Sequence, residues 1–582
     1  MINNMAFINR WEKENLIITG VLLMALALRL YGIQHGLPYG YQIDEKFVVN
    51  HAIGFGTGDF NPHLFHWPGT SLMYFLFLEY GLLYVIGWLL GIFRSTADFA
   101  ELFMRDPSVF YLIGRMTIAF MGTATVYLVY QLGRKVTSAR VGLLASIFYG
   151  FSYLAVGIDH FIFPDTPLTF LSVLTMLLLH RILIHGEKRT YLWAGLVIGI
   201  ASGTKYSGGA LLIPLGLAHF YQVWSQDKKK VHNLFDKRIG IAFLMIFVGF
   251  ILSCPFSLID FQTFSRDLVW QFGRVHSGSF GTDVESGWIY YLLQGLPNSL
   301  GIGLTVVSIL GVLYALLRHR SEEILITSFV LFYIGYIGSW KIGVDKYLLP
   351  ILPFLTLLAA SLIFGVLYRI ERLSSFMKPL LILFVVLCIS EPLARSVYND
   401  FLLTQKDTRT IAKEWIEANL PTGTKIALDA GNFDLAKMSP PLNDTKEGLK
   451  EKFLEREREI PQTWASSKEQ INQYFQWKMK YSKGKAYHLI HIVPSLNGEI
   501  DRKISLEEFR KRKVDYIVVS SYAYSVYQDP AFRRRLPEVA QHYNNFYASL
   551  ERHCELVRTF YPYSEKGPGP TIRIYKVLYK AD

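Results

Sequence analysis

Twelve apolar stretches follow one another through roughly the first two-thirds of this chain, at 15–32, 69–93, 110–132, 141–158, 166–185, 190–203, 207–224, 239–254, 298–317, 322–340, 347–368 and 377–396. A helix needs about 20 residues to cross a ~30 Å hydrocarbon layer. Within that layer a spanning segment must satisfy its own backbone polar groups. Such a succession points to a polytopic α-helical membrane protein. The composition agrees: 18% of the 582 residues are charged, against about 25% in soluble domains, and the mean hydropathy is positive. Cys254, Cys388 and Cys554 are too few and too far apart for a disulfide framework or a thiolate metal site. The first stretch has full span length and no small-residue cleavage site, so it reads as an anchor.

Loop cations set the orientation, because cytoplasmic loops are enriched in Lys and Arg. The basic clusters are Arg134/Lys135/Arg140, Arg181/Lys188/Arg189, Lys228/Lys229/Lys230/Lys237/Arg238, Arg318/Arg320 and Arg369/Arg372/Lys378. They fall on one side, together with Arg10 and Lys13, only if 69–93 does not span. That stretch, opened by Trp67-Pro68-Gly69 and carrying Glu79, is therefore read as an outer-surface or re-entrant helix. The expectation is about eleven spans with juxtamembrane helices in the cell (inner) membrane, the N-terminus cytoplasmic. Residues 1–398 form the membrane domain, with outer loops at 33–109, 158–166 and 255–297. Residues 399–582 form an extracytoplasmic α/β domain. The formal net charge of +12 is then mostly cytoplasmic flank, and no nucleic-acid partner is needed to explain it.

This topology gathers unusual charges at the outer face. The first outer loop carries Asp44-Glu45 and then His63 and His66; the second carries Asp159-His160 and Asp165. Arg29 and Arg115 lie near outer ends of spans, Lys205 lies in the turn Gly203–Gly209, and Lys346-Tyr347 opens the span 347–368. Charges at such positions are functional candidates, although Arg29, Lys205 and Lys346 could also snorkel to headgroups. A carboxylate can take the proton of a hydroxyl or amine, and Arg or Lys can hold a phosphate. Together they suit transfer from a lipid phosphate. His63 and His66 are candidates for a metal or for acceptor contact, though two histidines without a placed carboxylate are more often polar surface. No P-loop, GxGxxG, HExxH or CxxC pattern supports nucleotide, redox or metalloprotease chemistry.

Several short motifs recur in order: Arg29-Leu30-Tyr31-Gly32, Asp44-Glu45, His66-Trp67-Pro68-Gly69, Gly114-Arg115, Leu132-Gly133-Arg134, Asp159 with Pro164-Asp165-Thr166-Pro167, Gly203–Gly208, and Lys346-Tyr347-Leu348-Leu349-Pro350. In this ordered set the chain resembles the polytopic glycosyltransferases that use polyprenyl-phosphate sugars, the GT-C superfamily. Within it the chain is similar to glycosyltransferase family 39, which includes protein O-mannosyltransferases and resembles the aminoarabinose transferases. The resemblance implies inverting transfer at the outer face, either without a metal or assisted by a divalent cation. Asp44 would be the general base and Glu45 would orient acceptor or sugar. Arg115, Lys205 and Lys346, with Tyr347 beside them, would bind the leaving phosphate, and Asp159, His160 and Asp165 would complete a second-loop site. The donor would be a polyprenyl-phosphate sugar in the bilayer, and the acceptor a protein, lipid or glycan. The sequence departs from the pattern at Lys346, where relatives often carry Arg, and at Trp67-Pro68-Gly69, which replaces a paired-proline turn. A transporter or flippase of lipid-linked saccharides is the alternative, but no paired halves with broken midplane helices are evident.

Beyond residue 400 helices and strands alternate, the pattern of an α/β layer. Thr408–Leu420 reads as an amphipathic helix, Lys425–Leu428, His488–Val493, Val514–Ser520 and Thr571–Tyr575 as strands, and Ser505–Glu508 as a capping box. Residues 530–550 read as helix, and the charged stretch 441–485 as an insertion or helical excursion.

Overall fold

The computed structural model describes residues 2–66, 69–226, 234–278, 282–370, 377–429, 438–459, 468–481, 484–493, 500–565 and 567–579. Trp67-Pro68, the basic run 228–230 and Arg372 lie outside the described residues. The chain is mostly helical, as expected. Among the described residues six segments are long and apolar enough to cross a membrane: Thr70–Leu89, Ser108–Val136, Asp165–His185, Ser321–Gly338, Asp345–Tyr368 and Pro379–Asn419. The chain is thus a multi-pass membrane protein. Thr70–Leu89 is among the six, so its assignment to the outer surface rests on loop charge and not on its own composition. The residues fall into two compact units, one of 1–33, 60–77 and 113–400, the other of 34–59, 78–112 and 401–582.

In the first unit the helix Leu352–Ile370 is apolar on every side, as a bundle-centre helix should be, and Leu352, Phe354, Leu355, Leu357 and Leu358 are buried. It is preceded by a 3-10 turn, Asp345–Ile351, containing Pro350. Proline removes a backbone donor and resists the α ladder, so Lys346 and Tyr347 sit on this tighter turn. The apolar stretch 141–158 is not one helix. It breaks at Phe151-Ser152 into Ala139–Gly150 and Tyr153–Ile158, and Asp159 follows directly. Helices Lys188–Thr204 and Lys237–Ser253 pack backbone against backbone. A side chain at Gly195 would strike the Ala242 carbonyl, one at Gly199 the Ile246 carbonyl, and one at Gly203 the Ser253 hydroxyl. Small residues at a spacing of four let membrane helices approach this closely. Lys205 caps the first of these helices in extended conformation before the 3-10 turn Tyr206–Leu211.

The second unit contains a six-stranded sheet: β1 (Lys425–Asp429), β2 (Asn443–Asp444), β3 (Ala486–Ile492), β4 (Tyr516–Ser520), β5 (Cys554–Phe560) and β6 (Ile572–Val577), in the order β2-β3-β1-β4-β6-β5. β1 pairs parallel with β3 and β4, with Ala427 opposite Ile490 and Ile517, whereas β6 is antiparallel to β4 and β5. Ala412 and Ile416 of the helix Thr408–Asn419 pack on Ile426, Leu428, Val518 and Ile574. The expected strands appear with small shifts, and Ser505 caps Leu506–Lys511 through the Glu508 amide. The expected helix 530–550 is two pieces, Pro530–Arg535 and Pro537–His553, because Pro537 starts a new helix after Leu536. The charged stretch contains the helices Lys446–Glu459 and Lys468–Tyr481.

Asp429 closes β1 and is buried. Its Oδ2 accepts from the Ser520 amide at 2.7 Å and its Oδ1 from the Tyr547 hydroxyl at 2.8 Å. Burial pushes its pKa up to about 7, against the pull of those two hydrogen bonds. A raised folded-state pKa means the native protein holds a proton that the unfolded chain has released. Stability from this group is complete below about pH 4 and declines towards pH 7, by at most about 1.4 kcal/mol per pH unit. Asp429→Asn keeps an acceptor for Ser520 and removes the titration. Unfolding of the full chain followed at β1 and β4 between pH 4 and 8 should lose this slope in the variant. An unchanged slope would assign the pH dependence to another group.

Candidate active site

The second-loop segment Asp159–Asp165 organises the first unit. Its alternate residues each meet a cation from a different part of the chain. Arg29 Nε donates to Asp159 Oδ2 at 2.7 Å. The Arg115 guanidinium lies over the Phe161 ring at 5.4 Å. The Lys346 ammonium lies over the Phe163 ring at 4.7 Å, and Lys205 Nζ donates to Asp165 Oδ1 at 2.5 Å. Lys205 also faces the Tyr347 ring at 4.4 Å. The segment is a run of turns between two helices, with Asp159 and Pro164 in helical conformation and the Phe163 amide bonded to the Phe161 carbonyl. The segment is short enough for four cations to converge on it.

The partners divide the residues by what they can still do. Asp159 is buried and both its oxygens are engaged, Oδ2 by Arg29 and Oδ1 by the Thr166 hydroxyl at 2.5 Å. Arg29 also donates to the Ala25 and Gly150 carbonyls. It is fully buried, so it does not snorkel; the pair packs where a side chain at Gly122 would collide with it. His160 is buried with Nδ1 2.8 Å from the Val156 carbonyl and Nε2 2.9 Å from the Tyr31 carbonyl, and Asp400 lies 3.6 Å from Nε2. Burial pulls the imidazole pKa down while these two carbonyls pull it up. Arg115 donates to the Ile33 carbonyl at 2.6 Å. Aromatic faces attract a cation, so the rings of Phe161 and Phe163 help to hold Arg115 and Lys346 against the segment. On Asp165, Oδ2 has no hydrogen-bond partner among the described residues.

Asp44 and Glu45 stand in the first turn of the helix Ile43–Gly54, in the second unit, where the helix macrodipole favours negative charge. Asp44 is half-buried and Glu45 fully buried. Asp44 is the more accessible of the two. His66 and His63 belong to the first unit. His66 Nδ1 lies 3.3 Å from Asp267 Oδ2, and its ring meets Trp270 edge-on. Against the upward pull of partial burial, hydrogen bonds from the Phe65 amide, Arg266 and His66 hold Asp267 below the usual carboxylate range. His63 has positive φ, and its amide donates to Asn61. Among the described residues no three His, Cys, Asp or Glu side chains gather as a metal site.

Residues 97–257 match the family model described as dolichyl-phosphate-mannose-protein mannosyltransferase. The resemblance stated from the motifs therefore has independent support across Arg115, Asp159, Asp165 and Lys205, which lie within that stretch. Arg29, Asp44, Glu45 and Lys346 lie outside it. Two curated relatives, both dolichyl-phosphate-mannose–protein mannosyltransferase 1, share 23% identity over 266 residues (Saccharomyces cerevisiae) and 25% over 273 residues (Candida albicans). Each match covers 44% of this chain but 31% and 29% of the relatives, so the chain spans about a third of their length. Similar solved structures include the apo oligosaccharyltransferase of Archaeoglobus fulgidus, with 12% identity over 88% of this chain and 71% of that one, at a TM-score of 0.49. Another is ArnT from Cupriavidus metallidurans bound to undecaprenyl phosphate, with 11% identity, 96% and 97% coverage, and a TM-score of 0.49.

Phe161, Phe163, Thr166 and Asp267 were not anticipated as part of this layer. The first two had a readable signal, since Asp159-His160-Phe161-Ile162-Phe163-Pro164-Asp165 alternates carboxylate, ring, ring and carboxylate. Asp159→Asn should leave Arg29 buried without a counter-charge. Breaking a buried pair in this way costs about 3–5 kcal/mol, so a large fall in melting temperature in detergent is expected. Wild-type stability in that variant would show that Arg29 is neutralised elsewhere.

Proposed function

We propose that this chain is a glycosyltransferase that moves a sugar, with inversion, from a polyprenyl-phosphate carrier to an acceptor at the outer face of the cell membrane. The observation that carries the reading is the row of cations along Asp159–Asp165, two of them backed by aromatic rings. Support comes also from the family match over 97–257 and from the curated relatives, whose name makes mannose the first sugar to try.

In the proposed reaction the bond between the sugar's anomeric carbon and the phosphate oxygen breaks, and its electron pair stays on the phosphate. Arg115, Lys205 and Lys346 stabilise the charge that develops there, and Tyr347 holds Lys205 in place. The acceptor oxygen or nitrogen attacks the opposite face of the anomeric carbon and gives its proton to Asp44. Glu45, being buried, supports that helix turn and the orientation of the acceptor. Asp165 keeps Lys205 directed and has an oxygen to spare for a sugar hydroxyl. Asp159 and His160 hold the segment in shape. The N-terminus lies on the cytoplasmic side and residues 399–582 on the outer side.

Purified protein supplied with labelled polyprenyl-phosphate mannose and a mixture of peptide, lipid and glycan acceptors should release polyprenyl phosphate only when an acceptor is present. Movement of intact donor across vesicles without release would favour a flippase. Asp44→Asn should lower turnover by about 10²–10⁴-fold, the range of a lost general base, with donor binding nearly unchanged. Retained turnover would remove Asp44 from the chemistry. Lys346→Ala should weaken donor binding by about ten- to a hundredfold, since hydrogen bonds to charged groups contribute about 1.5–3 kcal/mol. Unchanged donor affinity would count against phosphate contact.

A further inference from the structure

The helix Thr408–Asn419 carries two cations that the sequence reading left unused, Arg409 and Lys413, and both are buried. They face the segment that leads into Asp44, and all of these residues belong to the second unit. The Arg409 guanidinium carbon is 3.7 Å from the centre of the Tyr41 ring, and the Tyr41 hydroxyl is 2.7 Å from the Thr410 hydroxyl. Lys413 lies 5.9 Å from the Tyr39 ring, and His35 Nδ1 is 3.2 Å from the Leu403 carbonyl. Tyr41 is buried, and Gln42 then caps the helix on which Asp44 and Glu45 stand in the first turn.

Arg409 is itself fixed in direction. Its Nε and Nη2 form a fork on Asp407 at 2.8 and 2.6 Å, and Asp407 also caps the helix by accepting from the Arg409 amide. Next to it the Thr408 hydroxyl donates to the Pro570 carbonyl at 2.6 Å, two residues before β6. On the other side the chain at Gly36 and Gly40 has positive φ. A side chain at Gly36 would press on the Tyr41 ring, and one at Gly40 on the Tyr111 ring. The loop is thus shaped to present Tyr41 in a single pose. A bidentate fork beneath an aromatic face defines an orientation as well as a contact. An aliphatic pair would fill the same space without desolvating a charge.

We infer that Arg409 and Thr410 are positioning residues which, by gripping Tyr41, set the place of the helix turn that bears Asp44. This gives the C-terminal α/β segment a part in the reaction: through the turn 568–570 and the helix Thr408–Asn419, the sheet is tied to the base. The inference rests on the reading of Asp44 as the base, and its test separates the two.

The conservative variants Tyr41→Phe and Thr410→Val each delete the hydroxyl pair while keeping ring and volume. In the full chain, hydrogen exchange of amides 43–48 should quicken by about tenfold in each, as local opening becomes easier, with exchange in β1 and β4 unchanged. Acceptor-dependent release of polyprenyl phosphate should slow by about three- to tenfold in kcat, because small misplacement of a reacting group weakens its orientation. The KM for polyprenyl-phosphate mannose should stay as in the wild type. The double variant should be no worse than either single one, since both remove the same bond. Arg409→Lys, which keeps the charge but not the fork, should be milder than Arg409→Gln. Unchanged exchange at 43–48, additive effects in the double variant, or exchange that quickens throughout the sheet would each overturn the inference. Quickened local exchange with Asp44→Asn still active would leave the grip intact and remove the base assignment instead.

Discussion

Four cations brought to one short stretch of chain are the constraint on which the first unit depends. Burying a charge in a low-dielectric interior is tolerable only where a partner waits, and Asp159, Phe161, Phe163 and Asp165 supply one partner each. The cations come from the first helix, from Ser108–Val136, from the residue after Lys188–Thr204, and from the turn before Leu352–Ile370. Distant parts of the sequence are held in register by this one segment. The two kinds of partner have different results. A carboxylate answers the charge of Arg29 and of Lys205 directly, whereas Phe161 and Phe163 offer Arg115 and Lys346 the negative face of a ring.

The second unit follows a different logic. Its sheet places Asp429 and Ser520 at the ends of adjacent parallel strands, and its helix Thr408–Asn419 grips Tyr41. Segments 34–59 and 78–112, which the sequence assigns mainly to the loop 33–109 of the membrane domain, cluster here with 401–582. The carboxylate pair Asp44-Glu45 therefore belongs to the same compact unit as the α/β layer.

Much of this was legible without coordinates, for identifiable reasons. Span-length apolar runs have few alternative structures, and Asp44-Glu45, Lys205 and Lys346 stand out because charges near spans are rare. Alternation of helix and strand after residue 400 announced the α/β layer. Pairing was not legible: Arg29 and Asp159 are 130 positions apart, and nothing local distinguishes an arginine that snorkels from one that is buried. The break at Phe151-Ser152 was hidden because both flanking pieces are equally apolar. β5 escaped notice because it starts directly after His553, with no turn residue between, and because an edge strand exposed along much of its length lacks clean alternation. The glycines at 195, 199 and 203 were visible as letters, yet their use depends on which helix lies opposite.

Those glycines have a consequence for how the protein could be blocked. Because Lys188–Thr204 lies backbone to backbone on Lys237–Ser253, the seam between them has no slack, and Lys205 is the next residue along. A small hydrophobic molecule that prised this seam apart from the lipid side would tilt the lysine off Asp165.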